Sequence, residues 1–311
     1  LPSGGSMVDN SSVRGPVNST QDVGIHDMAA TYLNTNSGAT SYGDDEDTEA
    51  STTQRAIVGA WMLVKEAAAT LAMLVDISPP PSSDPLSSLD RGYLLSVNEM
   101  SHIGSCLLVA LGRLKHMGAI AEVQAALNAV SASLLRLGDR CPALSGLPLE
   151  WMANVLSRLE SRKQVFILRR SAGFAYTFIA LLRAEPRNVS SALLPLALDR
   201  LLLFAEEGMA TPVTQSPKES RSADWSTCVH ALNALRLILT DAALGAEIDV
   251  YVPRAAMLAV RGFKHVQWGV RNSSMMLFSS VVQRAVDNDK RSEASSSGST
   301  ARDFFMRFPS P

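Results

Sequence analysis

The residues in this 311-residue chain best suited to chemistry are paired cations rather than nucleophiles or metal ligands. Arg169-Arg170 precede Ser171-Ala172-Gly173, Lys115-His116 precede Met117-Gly118-Ala119, and Arg271-Asn272 come shortly after Trp268. A guanidinium offers a planar fork of donors that matches phosphate or carboxylate, so such pairs suit an anionic partner. Arg271 falls in an early turn of an apolar helix, where the helix dipole disfavours a cation unless acceptors stand close. It therefore needs a partner: a buried ion pair or carbonyls at the end of a neighbouring helix, or a phosphate or protein group from outside. Adjacent helical residues such as Arg169 and Arg170 point about 100° apart, so one internal ion pair does not account for both.

Signals for catalysis are missing from the sequence. A nucleotide or S-adenosylmethionine site normally shows a glycine-rich turn between strand and helix, where backbone N–H groups approach the ligand. The segments around Gly173 and Gly262 instead lie between helical stretches, where glycine ends a helix or permits close packing. The five histidines, at 26, 102, 116, 230 and 265, form no metal-ligand spacing, and no G-x-S-x-G elbow marks a nucleophile. Cys106, Cys141 and Cys228 are scattered and odd in number, which suggests neither disulfides nor a zinc cluster and fits a reducing compartment. No run of about 18 to 20 uninterrupted apolar residues suggests a membrane span, and no secretion signal opens the chain. The expectation is a soluble, cytoplasmic, non-enzymatic protein that holds no cofactor or metal.

The elements that must carry these cations read as helices. Hydrophobic residues make up 46% of the chain and aromatics 6%, an Ala- and Leu-rich mixture that favours packed helices over sheets. Trp61, Val64, Ala68, Leu71 and Val75 recur at steps of three and four, placing one apolar stripe on a helix that ends before Pro79. Similar patterns predict helices over residues 97–115, 120–137, 151–159, 171–183, 189–207, 225–240, 253–262 and 268–286. Residues 1–53 read as a disordered polar leader or loop with eight acids and one base, and 54–286 as a helical-repeat segment. Residues 287–311 read as a loop and the start of a next repeat, the whole being a fragment of a longer protein. The body after residue 53 holds 27 bases and 22 acids, a small excess compatible with RNA or with an ordinary solvated surface. An all-α fold is expected, a bundle or, preferably, an irregular α-solenoid of armadillo/HEAT-like helical pairs.

Longer motifs add a resemblance. Val229-His230-Ala231-Leu232-Asn233-Ala234-Leu235-Arg236, continuing through Asp241, Leu244-Gly245, Tyr251-Val252 and Gly262-Phe263 to Val270-Arg271-Asn272-Ser273-Ser274, resembles the central conserved region of the thyroid adenoma-associated (THADA) family. Arg169 through Gly173 with Ala184-Glu185-Pro186, Trp61 with Val64 through Ala67, Lys115 through Ala119, and Arg302-Asp303-Phe304-Phe305 also resemble family signatures. The family usually has Arg where this chain has Met117 and Pro where it has Ala175. The resemblance implies a large helical-repeat scaffold that partners an FtsJ-type methyltransferase in 2′-O-methylation of the tRNA anticodon loop at nucleotide thirty-two. The methyltransferase would hold the S-adenosylmethionine. On that reading Arg169, Arg170, Arg271, Asn272, Lys115 and His116 are expected to contact tRNA or the methyltransferase. The competing expectation is a protein-interaction scaffold with no RNA role.

Overall fold

The computed structural model describes residues 45–81, 94–161, 172–186, 192–210, 222–291 and the single positions 302 and 306, without the side chains of 45–51, 172, 222–224 and 286–291. The chain divides into two compact units, Leu1–Ala60 and Trp61–Pro311. Among the described residues all regular structure is helical: α1 (Asp45–Ile77), α2 (Val97–Arg113), α3 (Met117–Leu137), α4 (Pro142–Ser145), α5 (Leu147–Glu160), α6 (Ala172–Ala184), α7 (Leu193–Ala210), α8 (Ser222–Thr240), a 3-10 segment (Ala242–Tyr251), α9 (Val252–Gly262) and α10 (Trp268–Arg291).

Helix starts reflect local chemistry. Ser96 and Glu99 form a reciprocal capping box at α2, the Ser96 hydroxyl accepting from the Glu99 amide while Glu99 accepts from the Ser96 amide at 2.7 Å. Proline stands in the first turn of α4, α5 and α9, where its missing N–H costs no helical bond. The first helix opens at Asp45 rather than Gln54. The last described helix runs on to Arg291, past the expected end at 286.

In the second unit the helices stack in two layers. One layer runs α3, α6, α8, α10, with α2 packed on α3 and α6; the other runs α5, α7, α9, and α7 and α9 cross to α8 and α10 respectively. Fully buried Leu111, Ile120, Leu127, Leu134, Phe178, Leu181, Leu198 and Leu201 fill the space between them. This is a helical-repeat arrangement in which neighbours in sequence cover one another's apolar faces.

One close approach sets the α2–α6 spacing. A Cβ on Gly173 would stand 2.1 Å from the carbonyl oxygen of Leu111, backbone that has no room to yield. Glycine is therefore required where α6 begins, and the motif ending in Gly173 has a packing role whatever its cations do.

Two helical stretches, Thr52–Ile77 and Met117–Leu137, are long and apolar enough to cross a membrane, which corrects the expectation drawn from uninterrupted runs. Mean hydropathy tolerates the Ser, Thr, Gly and few charged residues that interrupt them. Half of the apolar window in Met117–Leu137 is buried inside the protein, against 11% in Thr52–Ile77.

Replacing Gly173 by alanine should lower unfolding free energy by about 1–3 kcal/mol, the usual cost of overpacking, read by urea denaturation. A loss under about 0.5 kcal/mol would mean that α6 backs away freely from Leu111.

Candidate functional site

The turn between α2 and α3 gathers the first cation pair. Leu114 is buried and anchors the turn, while Lys115 and His116 are exposed. His116 caps α3: its Nδ1 accepts from the Ala119 amide at 3.4 Å. With Nδ1 accepting, the neutral ring carries its proton on Nε2. The imidazole stacks on the Trp61 indole, centroids 5.2 Å apart and planes 21° from parallel. The turn thus combines an exposed ammonium, an imidazole donor and an aromatic stack, groups that together can meet phosphate and base.

Arg271 takes the internal partner. Its Nη1 donates to the carbonyls of His265 and Val266, each at 2.8 Å, closing the turn between α9 and α10. Those carbonyls lie just past the end of α9, where acceptors lack helical donors, so a cation early in α10 is stabilised by them. Asn272 is exposed, with Nδ2 3.8 Å from the Met276 sulfur, and Arg236 of α8 places Nη1 3.3 Å from the same sulfur. Lys115-His116 therefore stand in the α2–α3 turn, and Arg271-Asn272 in the first turns of α10. Arg169 and Arg170 lie outside the described residues.

The strongest polar construction lies away from all of these cations. Asp241, with a side chain 3% exposed, caps the 3-10 segment by accepting from the Ala243 amide at 2.8 Å and takes the Arg183 Nε at 2.8 Å. Arg284 of α10 is buried; its Nε donates to Asp249 at 2.8 Å, Nη1 to the carbonyls of Leu239 and Asp241, and Nη2 to that of Gly245. Gly245 has φ 68°, in the left-handed region that favours glycine. Arg254 grips Glu206 with two bonds of 2.8 Å, which hold that carboxyl below its ordinary range. Asp241 and Gly245 stand in the motif run read from the sequence, whereas Arg183, Glu206, Asp249, Arg254 and Arg284 were not singled out there, yet a signal for Arg284 existed. Leu277, Val281 and Arg284 share one helical face, so a cation there must meet a buried acceptor.

A cavity of about 230 Å³ beside this construction is lined by Asn128, Arg183, Glu185, Leu194, Leu244 and Glu247, among others. Its walls largely serve the fold. Glu185 accepts from the Ala192 and Leu193 amides at the start of α7, and the Asn128 amide donates to the Ala180 carbonyl. Among the described residues, no group of three or more His, Cys, Asp or Glu could hold a metal ion.

Two other groups of potential reactivity are set aside by burial. The Cys228 thiol, which donates to the Ala205 carbonyl at 3.5 Å, is pushed up to about 12 by desolvation, so no thiolate forms near neutral pH. His230, within the Val229–Arg236 motif, lies edge-on to Phe174 with centroids 5.7 Å apart, and burial lowers it to about 4. It packs as a neutral ring.

A family model described as THADA/TRM732, DUF2428 matches residues 6–269, and one described as Trm732, C-terminal TPR repeats, matches 271–310. The chain is 31% identical over 296 residues to the human "tRNA (32-2'-O)-methyltransferase regulator THADA", covering 92% of this chain and 14% of that protein. It is 30% identical to the mouse protein of that name over 295 residues, with the same coverage. It is 27% identical over 268 residues to the Schizosaccharomyces pombe "tRNA (32-2'-O)-methyltransferase regulator trm732", covering 85% of this chain and 16% of that protein. The chain thus spans about a seventh of the length of these curated relatives. No solved structure matches it significantly.

The His230 shift has a signed consequence. Its folded value, about 4, lies below the unfolded 6.5, so the unfolded chain binds the extra proton between these values. The stabilisation is complete above pH 6.5 and is lost as pH falls toward 4, by up to about 3 kcal/mol. Urea denaturation at pH 7.5 and 5 should show a larger drop for the natural protein than for His230→Phe; equal drops would remove His230 as the cause.

Proposed function

Because the chain belongs to the THADA/TRM732 family, we propose that it acts as a non-catalytic scaffold regulating a tRNA 2′-O-methyltransferase. The methyltransferase is of the FtsJ type and supplies the S-adenosylmethionine site, and the modified ribose is that of nucleotide thirty-two in the anticodon loop. The setting is the cytoplasm.

The observation that carries this reading is the α2–α3 turn. It presents Lys115 and His116 with the His116 ring stacked on Trp61, inside a stretch that matches the family. Gly173 lies against Leu111, four residues before Lys115, so the α2–α6 crossing sets where this turn begins. An exposed ammonium and an imidazole stacked on an indole would suit a folded RNA, whose phosphates and shape are the readable features.

A pure protein-interaction scaffold is the second reading, favoured by the apolar residues exposed on α9 and α10. The two separate by salt. Phosphate neutralisation gives a steep fall in affinity with added salt, and each lost contact lowers the log–log slope by about 1. Lys115→Glu and the pair Arg169→Glu, Arg170→Glu should each abolish or strongly reduce methylation at nucleotide thirty-two in cells, at matched protein level and unchanged thermal stability. Retained methylation would withdraw these residues from the site, and salt-insensitive binding would favour the protein-only reading.

A further inference from the structure

The last two helices carry more apolar surface than their packing within the fold uses. On α10, Val270, Leu277, Val281 and Arg284 face inward. Trp268 (68% exposed), Met275 (62%), Phe278 and Val282 face solvent. At 100° per residue these four fall within an arc of about 80°, centred roughly 135° round the helix from the buried face, with Arg271 among them. Met257 and Val260 of α9 are likewise exposed, as are Phe263 and Val266 in the turn. The rings of Phe263 and Phe278 meet edge to face at 5.6 Å and join the two helices' outer surfaces. A helix that carries a second apolar face besides its buried one has more to cover than its present neighbours cover, and an exposed apolar patch of this kind marks an interface.

We propose that this face is the docking surface for the next helical pair of the same repeat array, in the part of the chain beyond α10. Three observations select that occupant. The match to C-terminal TPR repeats covers 271–310, so it begins inside α10 and makes α10 the opening helix of the next block. Beyond α10, Arg302 and Met306 are helical, and Met306 is 75% exposed, an apolar side chain with a face of its own to cover. Within the second unit α8 is covered by α6 and α7 before it and by α10, two helices after it, and the same rule carried one step further covers α10 with the helix two along. Arg271 then belongs to the joint between blocks. Its guanidinium closes the α9–α10 turn beneath the docked pair, and it makes no tRNA contact.

The proposal rests on repeat continuity and not on the tRNA reading, so the two can fail separately. In the intact cellular protein, with Cys106→Ser removing the exposed thiol of this segment and labelling read on the peptides that carry 275 and 250, Met275→Cys should react with a water-soluble maleimide at least about tenfold more slowly than Val250→Cys, a position 75% exposed. Cys141 and Cys228 are buried. Adding Phe278→Glu and Val282→Glu should restore fast labelling at 275. Equal rates at 275 and 250 would overturn the proposal. So would protection that appears only on adding the methyltransferase or tRNA, which would make one of those the occupant. Continued protection after the two charge substitutions would assign the shielding to α10's own surroundings and overturn it as well.

Discussion

The second half of this fold depends on where Arg284 puts its donors. A buried guanidinium has to find acceptors for most of its five N–H groups or the helix that carries it cannot pack. Arg284 finds them in the Asp249 carboxylate and in three carbonyls of the α8 end and the 3-10 segment, those of Leu239, Asp241 and Gly245. These carbonyls lie where the chain leaves one helix and has not yet begun the next, so they lack helical donors of their own. One side chain therefore satisfies the open backbone of the connection and fixes α10 against it. Asp241 completes the joint from the other side by capping the segment and pairing with Arg183 of α6. Through these two residues α6, α8, the 3-10 segment and α10 are held in one register.

With that register fixed, the outer surfaces divide by chemistry. The α2–α3 turn exposes an ammonium and an imidazole stacked on an indole. The α9–α10 flank exposes Trp268, Met275 and other large apolar side chains, while its cation, Arg271, is held by backbone carbonyls. Polar and charged groups contact RNA effectively because they replace counterions at phosphates, whereas a broad apolar face stabilises an assembly through area removed from water. The two surfaces thus suit different kinds of contact, one with an anionic polymer and one with another apolar helical face.

Much of this was legible in the sequence, and the limits have physical causes. The helices with a strong three-and-four spacing were readable because burial alone imposes that spacing; α8 ends at Thr240 and α9 at Gly262, as the pattern predicts. The 3-10 segment Ala242–Tyr251 escaped because a stretch kinked at Gly245 has no helical period to detect. The short helix Pro142–Ser145 is a single turn and is too brief to show one. Arg271 was legible as a cation that needs a partner, but whether carbonyls or phosphate would supply it depends on the turn from Phe263 to Gln267, which periodicity does not describe. The role of Arg236 was not legible because its relation to Met276 crosses from α8 to α10.

The close approach at Gly173 bears on how the cationic motif works. A motif can be restricted because its residues touch a ligand or because the backbone has no space, and at Gly173 the second condition holds. The Leu111 carbonyl excludes any side chain at 173. That exclusion fixes the start of α6 against the last turns of α2, four residues before Lys115. Loss of the glycine would consequently disturb the placement of Lys115 without altering its charge. Substituting Lys115 alters charge while leaving the Gly173–Leu111 contact in place, and a comparison of the two kinds of variant separates position from chemistry.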